Sequence, residues 1–141
     1  MAEIHHMLLI DAPVERVYRT ITEQEGLAAW WTAQAAAKPE TGSVAEFTFG
    51  DRYHTAMRVT GLEPSRKVQW ECIDGDEEWV GTKIVFDLEK QGEQTLLRFR
   101  HTDWRHMTDF YASCNYNWGF YMRSLKNYCE TGKGEPFEYR A

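Results

Sequence analysis

The stretch that most constrains this chain is the run DFYASCNYNWGFYMRSLKNYCETGKGEPF near its C-terminus. Phe110, Tyr111, Cys114, Trp118, Tyr121, Met122, Leu125, Tyr128 and Cys129 recur there at the i, i+3, i+4, i+7 spacing of one broad helical face. The spacing predicts a helix over Phe110 to Thr131, about 30 Å long at 1.5 Å per residue. A face so wide and apolar needs a cover of similar size, so the rest of the chain is expected to wrap around it. Gly132 stands where a left-handed cap would stop the helix. Gly119 inside it costs roughly 1 kcal/mol relative to alanine, which points to the close approach of another backbone or to a kink.

Ahead of that helix the apolar pattern changes period twice. Ile4 to Ile10 reads as a strand with Ile4, His6, Leu8 and Ile10 on one face. Asp11-Ala12-Pro13 then offers a capping side chain and a proline suited to a first helical turn. A short helix follows with Val14, Val17, Tyr18 and Ile21 inward, and a second around Leu27 to Trp31 comes after the break at Gly26. Of the adjacent Trp30 and Trp31, one is expected in the core and the other at a sheet edge or pocket mouth.

From Val44 onward the period is two. Strands are expected at Val44 to Phe49, Thr55 to Gly61, Lys67 to Ile73, Trp79 to Leu88 and Thr95 to Asp103. Gly50-Asp51, Pro64-Ser65, Asp74-Gly75 and Gln91-Gly92 punctuate them. No helix-length crossover separates these strands, which argues for an antiparallel meander. The class is α+β: a curved antiparallel sheet around a long C-terminal helix, with two short helices after the first strand. At 141 residues the chain is expected to be one domain over positions 1–141.

Charge and cysteine usage exclude several roles. A formal charge of −6 and a pI near 5.4 argue against a nucleic-acid or anionic-membrane surface. Arg98, Arg100 and Arg105 read as solvated faces or ion pairs. Cys72, Cys114 and Cys129 are odd in number and lack CxxC spacing, so neither a zinc site nor a disulfide framework is expected. No run approaches about 18 apolar residues, and no basic region precedes an apolar core at the N-terminus, so neither a membrane span nor a signal peptide is expected. The reading is cytoplasmic, without metal or cofactor.

The segments APVERVYRTIT, EWVGTKIVFDLE, GEQTLLRFRHTDW and WGFYMRSLKNYCETGKGEP resemble the START-like (SRPBCC) superfamily. More narrowly, they are similar to the family named for the C-terminal domain of the activator of the Hsp90 ATPase. The resemblance runs from about Ile4 to Phe137, and its most specific part is Trp118-Gly119, Ser124-Leu125-Lys126 and Glu130 to Gly134. It implies the helix-grip fold with a cavity between sheet and helix; members of the superfamily bind hydrophobic molecules, a few are cyclases, dehydratases or hydrolases, and many have no assigned role. It also implies a homodimer as one assembly. The chaperone activators carry an additional N-terminal domain, and this chain begins almost directly with its first strand, which argues against a chaperone partner.

Six Trp, seven Tyr and seven Phe are many for this length; core packing accounts for them on one reading, and on the other part of them lines a cavity. The expected function is therefore binding of a hydrophobic or aromatic small molecule. Phe47, Trp70, Phe86 and Phe99 from the sheet and Tyr111, Trp118 and Met122 from the helix are the expected lining, with His101 and Asp103 orienting the ligand. The alternative is an enzyme in which His101 and Asp103, adjacent on one strand face, serve as acid and base. A third reading is a co-chaperone-like interaction module. Cys114, one turn past Tyr111, reads as a buried, inert thiol. His5 and His6 point to opposite faces and cannot chelate together, and His54 is expected in a turn. Glu71, Glu77 and Glu78 belong to an exposed acidic hairpin. No catalytic or phosphate-binding signature occurs.

Overall fold

The computed structural model describes residues 2–51 and 53–138. Its elements run β1 (Ala2–Ile10), α1 (Val14–Thr22), α2 (Gln24–Trp30), β2 (Gln34–Ala36), β3 (Val44–Phe49), β4 (Tyr53–Glu63), β5 (Lys67–Asp74), β6 (Lys83–Gln91), β7 (Gln94–Trp104) and α3 (Asp109–Thr131). The strands form one antiparallel sheet in the order β1-β7-β6-β5-β4-β3-β2. Every neighbouring pair from β2 to β7 is consecutive in sequence. Only β1 is brought to its partner from afar, which places the first and last strands side by side.

The sheet is curved, and α3 lies across its concave face as the periodicity requires. Cys114, Trp118, Met122, Leu125 and Cys129 are buried along one stripe of the helix. Thr108 starts it, its hydroxyl accepting from the Tyr111 N–H at 3.1 Å. Gly132 ends it at φ 83°, the left-handed conformation open to glycine. A Cβ at Gly119 would meet only the His6 ring, at 3.5 Å, so no neighbouring backbone explains that glycine.

The segments that carry the family resemblance hold the helix in place. The Ser124 hydroxyl donates to the Trp30 carbonyl at 2.9 Å and accepts from the Glu135 N–H at 2.7 Å, tying α3 to α2 and to the C-terminal segment. Lys126 donates to the Leu9 carbonyl at 2.7 Å and pairs with Glu130, which accepts from the Asp11 N–H at 2.8 Å. Tyr111 donates its hydroxyl proton to the Glu3 carbonyl at 2.7 Å. A Cβ on Gly134 would stand 2.4 Å from the Ala29 carbonyl oxygen, so only glycine passes there.

Several local expectations are corrected. Pro13, not Asp11, is the N-cap of α1 and no side chain caps that end; the Asp11 N–H is engaged by Glu130 instead. Gly26 does not break the helices but lies inside α2, because a Cβ at that point would come within 2.4 Å of the Thr20 carbonyl oxygen. Both adjacent tryptophans are buried, their rings stacked 6.0 Å apart. The helix ends at Trp30, with Trp31 as its C-cap. The short β2 was not expected.

The Asp74-Gly75 turn is the largest departure. Residues 75–82 form a wide loop rather than a tight hairpin, and β6 starts at Lys83, so Trp79 is not on a strand. Arg105 clamps this loop by donating to the Glu77 and Val80 carbonyls at 3.2 and 3.3 Å. Glu78 accepts from the Thr108 hydroxyl at 2.6 Å. Arg98 and Arg100 make the expected ion pairs, with Glu89 at 3.2 Å and Asp87 at 3.0 Å.

Candidate functional site

A cavity of about 600 Å³ opens between the N-terminal half of α3 and one end of the sheet. Phe110, Ser113, Cys114, Asn117, Trp118 and Tyr121 form its helical wall, a single stripe at three- and four-residue steps. Phe49, Gly50, Asp51, Tyr53, His54 and Thr55, where β3 gives way to β4, form the opposite rim. Trp31 lies at the base, Trp79 and Asp76 come from the 75–82 loop, and Phe137 closes the side. The volume falls in the range usual for small-molecule sites.

The cavity lies at the sheet end rather than over the sheet centre. Of the expected lining, Trp118 alone is on its wall. Phe47, Trp70, Phe86 and Phe99 are buried and pack on one another, with Phe47–Trp70 at 5.7 Å, Trp70–Phe86 at 5.1 Å and Phe86–Phe99 at 5.3 Å between ring centres. Trp118 presses onto Phe99 at 4.6 Å, and Trp31 reaches Phe47 at 4.4 Å. Large rings on facing elements fill the centre completely, which makes that set core. Met122 is buried with them. Tyr111 turns toward β1 and packs its ring on Trp104 at 5.2 Å. The 600 Å³ space lies where the 75–82 loop and the β3–β4 turn stand clear of the helix.

His101 and Asp103 are not brought together. Between β1 and β7 the register runs from Ile4↔His101 to Ala2↔Trp104, so β7 carries one extra residue. Asp103 sits in this bulge with φ 68°, which breaks the alternation. Thr102 and Trp104 are consequently buried, while the Asp103 carboxylate points out to Lys83 at 3.6 Å. An acid–base pair of these two side chains does not form.

His101 is instead the centre of a dry hydrogen-bond chain. The Trp118 indole N–H donates to its Nδ1 at 3.0 Å, and Nε2 meets the Thr82 Oγ1 at 2.8 Å. Thr82 donates onward to the Trp79 carbonyl at 2.5 Å. An indole N–H can only donate, so Nδ1 is the acceptor and the imidazole proton is assigned to Nε2. Burial pushes the His101 pKa down to about 3, since a charged ring here would lose its hydration and confront the Trp118 N–H. The chain fastens Trp79 and Trp118, whose indoles lie parallel 6.0 Å apart.

Cys114 accepts from the Trp79 indole N–H at 3.4 Å, and burial raises its thiol to about 11. It is an inert thiol on an apolar wall. His54 is on β4, not in a turn, with Nε2 3.1 Å from Glu46 and Nδ1 3.8 Å from Asp74. His5 pairs with Glu3, and His6 packs beside Phe99. Among the described residues no group of three His, Cys, Asp or Glu side chains stands close enough to hold a metal ion. No described helix is long and apolar enough to cross a membrane.

Trp79 escaped sequence reasoning as a site residue, and Trp31 entered it only as one of two adjacent tryptophans of which one was expected at a sheet edge or pocket mouth. The clue for Trp79 was the acidic run before it, which is too polar and too long for a two-residue turn. For Trp31 the clue was its position just past a helix end.

Comparison with known proteins places this geometry. A family model described as activator of Hsp90 ATPase homolog 1-like protein matches residues 11–130. The solution structure of the Aha1 dimer from Colwellia psychrerythraea is 38% identical, with a TM-score of 0.86 over 95% of this chain and 100% of that one. DynU16, from the dynemicin biosynthetic locus, is 23% identical with a TM-score of 0.80 over 98% of this chain and 51% of its own. A protein of Staphylococcus saprophyticus is 15% identical with a TM-score of 0.79 over 97% of this chain and 100% of that one, and like DynU16 it shows the fold alone. A search of curated proteins found no match.

Proposed function

The chain belongs to the family of activator of Hsp90 ATPase homolog 1-like proteins, and from that premise we propose that it binds a hydrophobic, ring-bearing small molecule at the sheet end of its helix grip. The observation that carries this reading is the cavity of about 600 Å³ walled by Trp31, Trp79, Trp118, Phe110 and Tyr121. Burying an apolar ligand there gains roughly 25 cal/mol per Å² of apolar surface removed from water. Trp79 and Trp118 are held in place by hydrogen bonds before any ligand arrives, which reduces the ordering cost of binding.

Carrier or sensor chemistry fits these residues better than catalysis. His101 uses both ring nitrogens within the protein, and Asp103 is turned away to Lys83. Neither is poised to move a substrate proton near neutral pH. Of the residues that give the family resemblance, Ser124, Lys126, Glu130 and Gly134 hold the helix to its neighbours and are not on the cavity wall, whereas Trp118 is.

The test is native mass spectrometry of protein purified from its own host, followed by denaturing analysis of what is released. A co-purified organic molecule displaced by Trp118→Ala is the expected result. An empty wild-type protein whose tryptophan emission ignores a library of aromatic compounds would defeat the proposal.

The Aha1 dimer supports a second statement, that this chain self-associates. Light scattering at several concentrations tests it, and a strictly monomeric mass would remove it. That relative bears the Aha1 name at full coverage of its own chain, so a chaperone-directed role is best tested directly, by stimulation of the Hsp90 ATPase.

A further inference from the structure

Resting on the cavity reading above, we propose that the indole N–H of Trp31 selects the ligand, and that the site takes a ring-bearing molecule with a carbonyl oxygen. Trp31, Trp79 and Trp118 stand on the cavity wall, and two of them have spent their N–H groups. Trp79 donates to the Cys114 Sγ at 3.4 Å and Trp118 to Nδ1 of His101 at 3.0 Å. The Trp31 N–H has no acceptor among the described residues.

That donor is deeply placed and firmly held. Trp31 is only 2% exposed, its ring packed on Phe47 at 4.4 Å, Phe49 at 5.4 Å and Trp118 at 5.2 Å. Among the described residues, the unpartnered side-chain nitrogens sealed from solvent are His6 Nε2 and Trp104 Nε1. Trp31 Nε1 is not sealed, and the open space beside this ring is the cavity. The backbone on either side fixes the ring: the Trp31 amide donates to the Leu27 carbonyl at 3.0 Å, and the Trp31 carbonyl accepts from the Phe137 N–H at 2.8 Å. A donor so anchored needs little ordering when a ligand arrives.

An indole N–H donates and cannot accept. Once a ligand closes over it, leaving it without an acceptor costs the desolvation of the group. A hydrocarbon seated on Trp31 displaces the water that serves the N–H and returns nothing. A hydroxyl accepts the bond but carries a proton of its own, to which Phe47, Phe49 and Trp118 offer ring faces rather than lone pairs. A carbonyl oxygen accepts and brings no donor. Ser113 and Asn117 on the helical wall are exposed, stay within reach of water and so discriminate less.

The experiment uses two probes of one shape: 2-acetylnaphthalene, and 2-isopropenylnaphthalene, in which a methylene group replaces the carbonyl oxygen. Proton–nitrogen-15 NMR follows the indole signals. The ring currents of the two probes are alike, so the difference between the two bound positions of the Trp31 indole proton reports the hydrogen bond. The ketone is expected to move that proton downfield of where the alkene leaves it, with the Trp79 and Trp118 protons alike for both. Calorimetry on Trp31→Phe gives a second readout. The variant keeps a ring and loses the N–H, so the ratio of ketone to alkene affinity should fall by about tenfold. Coincident Trp31 proton positions overturn the inference, as does an unchanged affinity ratio, and either leaves the cavity reading standing. Should Trp31→Phe fail to fold, the wild-type proton positions decide alone. Silence of all three indoles toward both probes overturns the cavity reading as well.

Discussion

The Trp118 indole N–H donates to Nδ1 of His101 at 3.0 Å, with both side chains almost wholly out of water. That bond fixes the imidazole tautomer, and the tautomer fixes the rest of the chain through Thr82 to the Trp79 carbonyl. His101→Ala removes the centre of the chain, orphans the buried Trp118 N–H, takes one of the two partners of Thr82 and leaves a void. It is expected to cost about 2–4 kcal/mol. Trp118→Phe keeps most of the packing and orphans only Nδ1, for about 1–2 kcal/mol. Urea denaturation of the pair should rank them in that order.

The same histidine sets an acid limit on the fold. Its folded pKa of about 3 lies below the ordinary 6.5, so the unfolded chain binds the extra proton between those values. Stability from this group is complete above 6.5 and declines as pH falls toward 3, with a slope near 1.4 kcal/mol per pH unit. Glu130, whose pKa is lowered by the Asp11 N–H and then by Lys126, contributes only below its ordinary 4.5. Unfolding free energies taken between about pH 6.5 and pH 5 therefore isolate His101, and the decline should vanish in His101→Gln.

Two glycines inside helices should answer alanine in opposite ways. At Gly26 the new Cβ would stand 2.4 Å from the Thr20 carbonyl oxygen and 2.6 Å from its Cα, backbone that cannot move without separating α1 from α2. A loss above about 2 kcal/mol is expected. At Gly119 the Cβ meets only the His6 ring edge at ordinary contact distance, and the gain in helix propensity approaches about 1 kcal/mol. Thermal melts of the two variants should shift in opposite directions.

Thiol reactivity offers a check on burial at the cavity. Cys114 and Cys129 are raised to about 11 and Cys72 is raised as well, each first by desolvation. Folded protein at neutral pH should react negligibly with an aromatic disulfide reagent, and all three thiols should titrate in denaturant. A ligand in the cavity should slow Cys114 further and leave Cys129 unchanged.

Trp79→Ala opens one wall of the cavity without touching the central ring cluster. Binding of an aromatic probe should weaken by about tenfold, since a contact indole is lost. The melting temperature should fall less than for His101→Ala, because the Thr82 bond is to the Trp79 backbone and survives.

The helix, the strand pattern and the wrap of sheet around helix were legible because each is a periodicity summed over many residues. Gly132 was legible too, since a glycine after the last apolar position has one main use. The site was not legible, for reasons that single residues make plain. One extra residue at Asp103 reverses which side chains of β7 face inward past His101, and nothing local marks a bulge at an aspartate. Phe47, Trp70, Phe86 and Phe99 face inward as their alternation requires. Alternation does not say whether an inward ring meets a partner or a void. That depends on where α3 sits along the sheet, and so on Ser124, Lys126 and Tyr111 finding carbonyls from 94 to 117 residues away in sequence.

Those anchoring bonds also bear on how the protein behaves in a crowded solution. The Lys126 ammonium and the Tyr111 hydroxyl occupy outward carbonyls of β1, at Leu9 and Glu3. At the far margin β2 is only three residues long, and the Ala33 N–H just before it is taken by the Phe137 carbonyl. Part of the backbone at both margins of the seven-stranded sheet is thus already taken, which interrupts the template on which a foreign strand could grow. Removing the β1 plugs with Lys126→Met and Tyr111→Phe would leave the ring cluster intact while exposing a template for edge-to-edge polymerisation. The long helix guards the sheet against its own kind.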